Sequence, residues 1–344
     1  MIPAIQFSRD SHGRTVLNVQ SSKGVELKGM GTVSGDGQIR FGSTSTTEGQ
    51  KYTQFTYIHE GDEENLLILD NAEGKHYSIE GENANVSSKG GNVERTIQVD
   101  AKDSNVDLSN AEGSQVVYTT ASAERNKIKM GSGNDIYVDS GKFNNADGQG
   151  GSDHITTEGT SHGGVIKGGT GNDVFAINGS YHVVDGGEGS DHMTAAGIYG
   201  QDAEAAYRSV FIGGDGDDVM VDKGGYNMFF AGSGNDTYEV HGSNSIAYKS
   251  SLETGAMTVI SQASAINPAI FGQTETFTDK QGKTYTISEI MNKYDWTLNE
   301  FLKVYSQVSG INKDSLFSTG VVDEETMNKL SIYFANNLSK VWNT

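Results

Sequence analysis

The sequence predicts a mainly β protein, a solenoid of short stacked coils with glycine-rich loops along one edge. Three observations lead there. First, one nine-residue pattern recurs six times: MGSGNDIYV at 130–138, GQGGSDHIT at 148–156, GGTGNDVFA at 168–176, GGEGSDHMT at 186–194, GGDGDDVMV at 213–221 and AGSGNDTYE at 231–239. Short repeated units cannot bury an apolar face alone and must stack on their neighbours. Second, the aspartates of the pattern, Asp135, Asp153, Asp173, Asp191, Asp218 and Asp236, are 18, 20, 18, 27 and 18 residues apart, so two nonapeptides make the usual period. Third, 45 glycines against 2 prolines suit a chain of many short strands and tight turns.

Each residue type in the pattern has a physical task. Glycines let the backbone turn with φ > 0, so that successive carbonyl oxygens point at one spot. The aspartate adds a hard carboxylate oxygen, the donor calcium prefers. The last three residues alternate as a minimal strand with one side chain turned inward. Those inward candidates are Tyr137, Ile155, Phe175, Met193, Met220 and Tyr238. The second half of each period, such as INGSYHVVD at 177–185, KGGYNMFFA at 223–231 and HGSNSIAYK at 241–249, is a plain Gly/Asn turn followed by a strand. The loops therefore line one edge and the plain turns the other.

The copies at 168, 186 and 213 match G-G-x-G-x-D-x-U-x at every defined position, and the others depart at one or two. In this the chain resembles the RTX (repeats-in-toxin, hemolysin-type) proteins, whose nonapeptide binds calcium in a parallel β-helix. The resemblance covers roughly 130–250. It implies a right-handed parallel β-roll with Ca²⁺ between the loops of adjacent turns, about five ions for six loops. Carried onto this chain, the implied metal residues are the six aspartates together with Ser132, Asn134, Gly168, Thr170, Asn172, Gly186, Glu188, Gly213, Asp215, Asp217, Ser233 and Asn235. It also implies a secreted bacterial protein that stays unfolded at low calcium and folds outside the cell. Type I export is the family norm, with type III export as the rival route. Residues 130–138 begin the series and 231–239 end it.

The remaining elements follow in chain order. Residues 1–95 read as β-rich but irregular, a possible solenoid cap. From 96 a weaker periodicity places Val106, Val117 and Ile128 eleven residues apart, as coils without calcium. The solenoid is expected to run over 96–260. The 27-residue gap holds an insertion at 195–209 that includes DAEAAYR, read as a tolerated surface loop. From 272 the period changes to helical. Thr286-Ile287-Ser288-Glu289 and Thr297-Leu298-Asn299-Glu300 have the spacing of capping boxes. Leu298, Phe301, Leu302, Tyr305 and Val308 share one stripe, and Met327, Leu330, Phe334, Leu338 and Val341 another. A small α-helical region over 272–344 is expected, packed on the solenoid end.

The formal charge of −20 argues against nucleic acid or an anionic membrane as partner. With no cysteine, disulfides are excluded. No run of about 18 apolar residues offers a membrane-crossing helix, and the first residues lack the pattern of a cleavable signal. The metalloprotease motif H-E-x-x-H is absent. Gly159-Thr160-Ser161-His162-Gly163 matches G-x-S-x-G but lies between two loops, where the strand–turn–helix that motif needs is not expected. His154 and His192 directly follow their loop aspartates and offer a weak alternative metal set. The expected function is a non-enzymatic effector, adhesin or surface component with an unknown host or surface partner. A hydrolase or lyase acting on polysaccharide or protein is the alternative from another class. An ice-binding array is a further one, opposed by charged loop pairs such as Asp215/Asp217, with Thr/Asn occurring once, at Thr170/Asn172.

Overall fold

The structure, a computed structural model, describes residues 4–9, 15–27, 31–43, 53–59, 65–69, 76–196, 209–224, 227–241, 246–248, 254–261, 269–271, 276–278 and 284–286. Among these, every regular element is a β-strand. The chain is mainly β, and its strands build a parallel β-solenoid. It divides into two compact units, Met1–His154 and Ile155–Thr344.

The first unit opens with antiparallel strands, Ala4–Arg9, Thr15–Leu27 and Gly31–Ser43. Parallel pairing begins at Thr53–His59 with His76–Glu82, earlier than the start at 96 expected from periodicity. The reason is that the turns of these coils carry no loop motif, so only the strand pattern marks them. Two strand series then alternate along the chain. One runs through His76–Glu82, Arg95–Lys102, Gln115–Thr119 and Ile136–Asp139. The other runs through Asn65–Leu69, Asn85–Ser88, Asn105–Asp107, Lys127–Lys129 and Asn145–Asp147. The eleven-residue spacing of Val106, Val117 and Ile128 is the half-coil step between the two series, and all three are buried.

The second unit repeats the plan. Val174–Ile177, His192–Ala195, Val219–Asp222, Asp236–Val240 and Met257–Ser261 pair in parallel. So do Val165–Thr170, Val183–Glu188, Val210–Asp215, Met228–Ser233, Ile246–Tyr248 and Ala269–Phe271. Thr276–Thr278 and Thr284–Thr286 form a separate antiparallel pair. The expected helical stripes beyond 286 and most of the insertion lie outside the described residues.

The six inward candidates are all fully buried. Each such side chain contributes about 1.5–3 kcal/mol by leaving water. Phe211 and Phe229 stack at 4.7 Å between ring centroids, and Tyr238 lies 4.9 Å from Phe229. In unit 2 the outward-facing Val165, Val183, Val210, Ile212 and Phe230 are buried too. Their counterparts in unit 1 are the polar Asn105, Asp107, Lys127 and Lys129, which are half-exposed.

The plain turns have an order of their own. Backbone N–H groups donate to a side chain one coil ahead: Ala84 to Ser104 Oγ, Ser104 to Asn126 Oδ1 and Asn126 to Asn144 Oδ1 in unit 1. In unit 2, His182 donates to Ser209 Oγ and Ser209 to Asn227 Oδ1. This buried ladder satisfies corner amides that no strand partner reaches.

Candidate metal site

The six loops keep register within each unit. Gly169, Gly187, Gly214 and Gly232 pair in sequence, as do Thr170, Glu188, Asp215 and Ser233. At Gly187 and Gly189 φ is 106° and 129°. A Cβ there would stand 2.1 Å from Gly169 O and 1.8 Å from Gly171 O, so both conformation and space require glycine.

The aspartates point into the solenoid, not out of it. All six are at most 2 % exposed. Asp135, Asp153, Asp191, Asp218 and Asp236 each receive the backbone N–H of the preceding coil on Oδ1. Gln115 donates to Asp135 and Asp135 to Asp153 in unit 1, at 2.6 and 2.8 Å. In unit 2, Asp173 donates to Asp191, Asp191 to Asp218 and Asp218 to Asp236, at 2.8, 2.8 and 3.1 Å. The column thus holds together through carboxylates that cap amides of the coil before them.

A second ladder runs the opposite way on the rim. Ser152 N–H donates to Asn134 Oδ1, Ser190 to Asn172 Oδ1, Asp217 to Ser190 Oγ and Asn235 to Asp217 Oδ1. This explains Asn, Ser or Asp at the fifth loop position: the side chain caps the following loop. Ser132, Thr170, Glu188 and Asp215 at the third position are exposed, and Ser233 is half-exposed. The carbonyls of Glu188, Asp215 and Ser233 accept N–H bonds from Gly171, Gly189 and Gly216.

The other carboxylate oxygen of Asp173, Asp191 and Asp218 faces a glycine-lined niche. A Cβ on Gly168 would meet Asp173 Oδ2 at 2.1 Å and Gly186 O at 2.6 Å. On Gly186 it would meet Asp191 Oδ2 at 2.2 Å and Gly213 O at 2.4 Å, and on Gly213, Asp218 Oδ2 at 2.4 Å and Ala231 O at 2.2 Å. Each niche sets a carboxylate oxygen beside a carbonyl from the next loop. Asp191 Oδ2 is buried there with no hydrogen-bond donor. Burial, and next the charges of Asp173 and Asp185, push its carboxyl up to about 7, against the opposing N–H of Asp173. Among the described residues no three acids or histidines converge. A cation here would therefore be held by buried carboxylates and backbone carbonyls together, which is a calcium-type oxygen set.

The loop at 130–135 differs. Met130 is buried where four of the other loops have glycine and the last has Ala231, and Asp135 Oδ2 accepts the Gly131 N–H at 3.0 Å. Burial still raises the Asp135 carboxyl to about 6, with the Gln115 and Gly131 amides opposing.

The G-x-S-x-G serine lies in a plain turn. Ser161 Oγ is 3.2 Å from His182 Nε2, and both residues are buried in the corner, so no substrate reaches the hydroxyl. His192 is exposed between Val174 and Val219, with no second histidine adjoining it in those pairings. Two buried acids escaped the sequence reading. Asp139 accepts from Thr119, Gly141 and Asn144. Asp222 accepts from Gly224, Asn227 and the Tyr238 hydroxyl. Their signal is D-x-G-x-x-N, present at 139–144 and 222–227. Protein families, curated proteins and solved structures give no match to the chain.

Proposed function

We propose that this chain is a calcium-binding solenoid of the RTX type, exported and stabilised by Ca²⁺ outside the cell, and serving as a non-enzymatic effector, adhesin or surface component. The observation that carries this reading is Asp191 Oδ2, a buried carboxylate oxygen with no donor, set against Gly186 and the Gly213 carbonyl. Burying an anion without compensation costs several kcal/mol. A carboxylate oxygen also lies against a loop glycine and a neighbouring carbonyl at Asp173 and Asp218, so unit 2 stacks acids that repel one another. A divalent cation is the economical remedy, and its binding free energy adds directly to folding. Gly168, Gly186 and Gly213 leave the room, Asp173, Asp191 and Asp218 supply the charge, and the carbonyls of Gly186, Gly213 and Ala231 complete the oxygen set. The G-G-x-G-x-D-x-U-x pattern supports the same ion.

The test is metal content by mass spectrometry together with thermal unfolding in Ca²⁺, Mg²⁺ and chelator. Calcium is expected to bind in more than one equivalent and to raise the Tm. Mg²⁺ should do so far less, because it demands tight octahedral geometry and gives up water reluctantly. Identical melting in Ca²⁺ and chelator refutes the proposal.

A further inference from the structure

The aspartate column does not begin at Asp135. Arg95 pairs with Gln115 in the strand register, and the next residues, Val116 and Ile136, pair in turn. Gln115 is therefore level with Asp135, whose Oδ1 takes its N–H. The loops agree. A Cβ on Gly90 would meet Asn110 O, one on Gly113 would meet Val93, and one on Gly131 would meet Ala111 O. GGNVER at 90–95 and NAEGSQ at 110–115 are thus the same loop as MGSGND at 130–135, with Arg and Gln in the aspartate position.

Both side chains are buried, Arg95 at 2 % exposure and Gln115 at 0 %. They point donors at the oxygens of their loops. The guanidinium donates to Val93 O and Gln115 Oε1 at 3.4 Å and to Gly90 O at 3.5 Å. The Gln115 amide donates to Val93 O at 2.8 Å and also to Gly113 O. Where the niches at 168, 186 and 213 set a carboxylate oxygen beside a backbone carbonyl, these two turns carry their own cation and N–H groups.

We infer that Arg95 and Gln115 stand in for the metal, so that the turns at 90–95 and 110–115 are cation-independent versions of the calcium loop. Calcium dependence belongs to the loops of unit 2, and the coils around 95–119 hold without it. This inference rests on the calcium reading proposed above. A buried guanidinium has a stated task here: it neutralises an oxygen-rich corner that an ion serves elsewhere.

Hydrogen exchange read by mass spectrometry on the full chain, in Ca²⁺ and in chelator, tests it. Amides of 95–99 and 115–119 should exchange at the same rate in both, while those of 174–177, 192–195 and 219–222 speed up in chelator. Loss of protection at 95–119 together with unit 2 overturns the inference and leaves the calcium reading standing. No change anywhere overturns both. As a second probe, Arg95→Leu should speed exchange at 95–99 and 115–119 roughly ten- to a hundredfold in calcium as in chelator, since neither turn has a carboxylate at the buried aspartate position to hold an ion. Calcium restoring protection to Arg95→Leu would show that the turn accepts the metal and would also overturn the inference.

Discussion

Replacing Gly186 by alanine adds one methyl group at the centre of the proposed site. That methyl would stand 2.2 Å from Asp191 Oδ2, 2.4 Å from Gly213 O and 2.6 Å from Met193 Cε. Methionine can move, but the Gly213 carbonyl belongs to the neighbouring coil and the carboxylate is tied to the Asp173 N–H. Overpacking of this kind costs about 1–3 kcal/mol. Pushing the carboxylate aside also weakens a hydrogen bond to a charged group, worth about 1.5–3 kcal/mol. The sum is roughly 2.5–6 kcal/mol. At about 2–4 °C per kcal/mol for a unit of this size, the melting temperature should fall by roughly 5–24 °C. Gly159→Ala is the control, since nothing lies within 4 Å of its Cβ, and it should stay within about 0.5 kcal/mol. Circular dichroism melts in calcium measure both variants, and calorimetric titration counts the ions. Gly186→Ala should also bind fewer calcium ions than wild type. A variant that melts with wild type and keeps its calcium stoichiometry refutes the niche as described.

Three further outcomes follow from the same geometry. Asp191→Asn keeps an oxygen for the Asp173 N–H but removes the buried charge, so in chelator at pH 8 it should melt no lower than wild type while gaining less from calcium; equal calcium stabilisation of both proteins contradicts the assigned role. The metal-free protein should lose stability as pH rises. The folded Asp191 carboxyl is raised to about 7 from the ordinary 3.8, so the folded state holds its proton more tightly than the unfolded chain. That advantage is complete below pH 4, shrinks from about 4 to 7 and is absent above. Discounted by about half for screening by nearby water, it amounts to roughly 2 kcal/mol. Melts in chelator at pH 5 and pH 8 check the sign. Asn172→Ala removes the acceptor for the Ser190 N–H on the solvent side, where water substitutes, and should cost about 0.5–1.5 kcal/mol with calcium stoichiometry unchanged; a lost ion would instead place Asn172 among the ligands.

Much of the solenoid was legible because its repeat is rigid in both spacing and residue type. The inward positions Tyr137 to Tyr238 follow from alternation alone, since a strand of three residues has only one side chain to turn inward. The half-coil step was readable at Val106, Val117 and Ile128 for the same reason. The coils before 96 were not, because their turns replace the glycine–aspartate signature with unrelated residues. What pattern reading could not supply was direction. Asp173 and Asp217 are both acids of the glycine-rich loops, yet one is buried in the column and the other caps an exposed rim amide. Only the register, which sets Asp173 N–H against Asp191 Oδ1 and Asn235 N–H against Asp217 Oδ1, separates the two tasks.

The same register gives the motif a second reason to exist. An aspartate at the sixth position must satisfy an amide of the preceding coil whether or not an ion is present, so the column is first a device for closing buried backbone groups. Serine and asparagine do that on the opposite edge at Ser104, Asn126, Asn144, Ser209 and Asn227 without any charge. Asparagine would therefore suffice on the loop edge if amide capping were the only demand. Aspartate is found there instead in six consecutive loops, and where the column changes to Gln115 and Arg95 the side chains carry donors to the loop oxygens. A neutral cap on one edge, an anionic one beside glycine-lined niches, and a cationic residue where the anions stop form one consistent pattern. It is the pattern expected if negative charge on the loop edge is retained for a cation and is withdrawn wherever the chain provides its own.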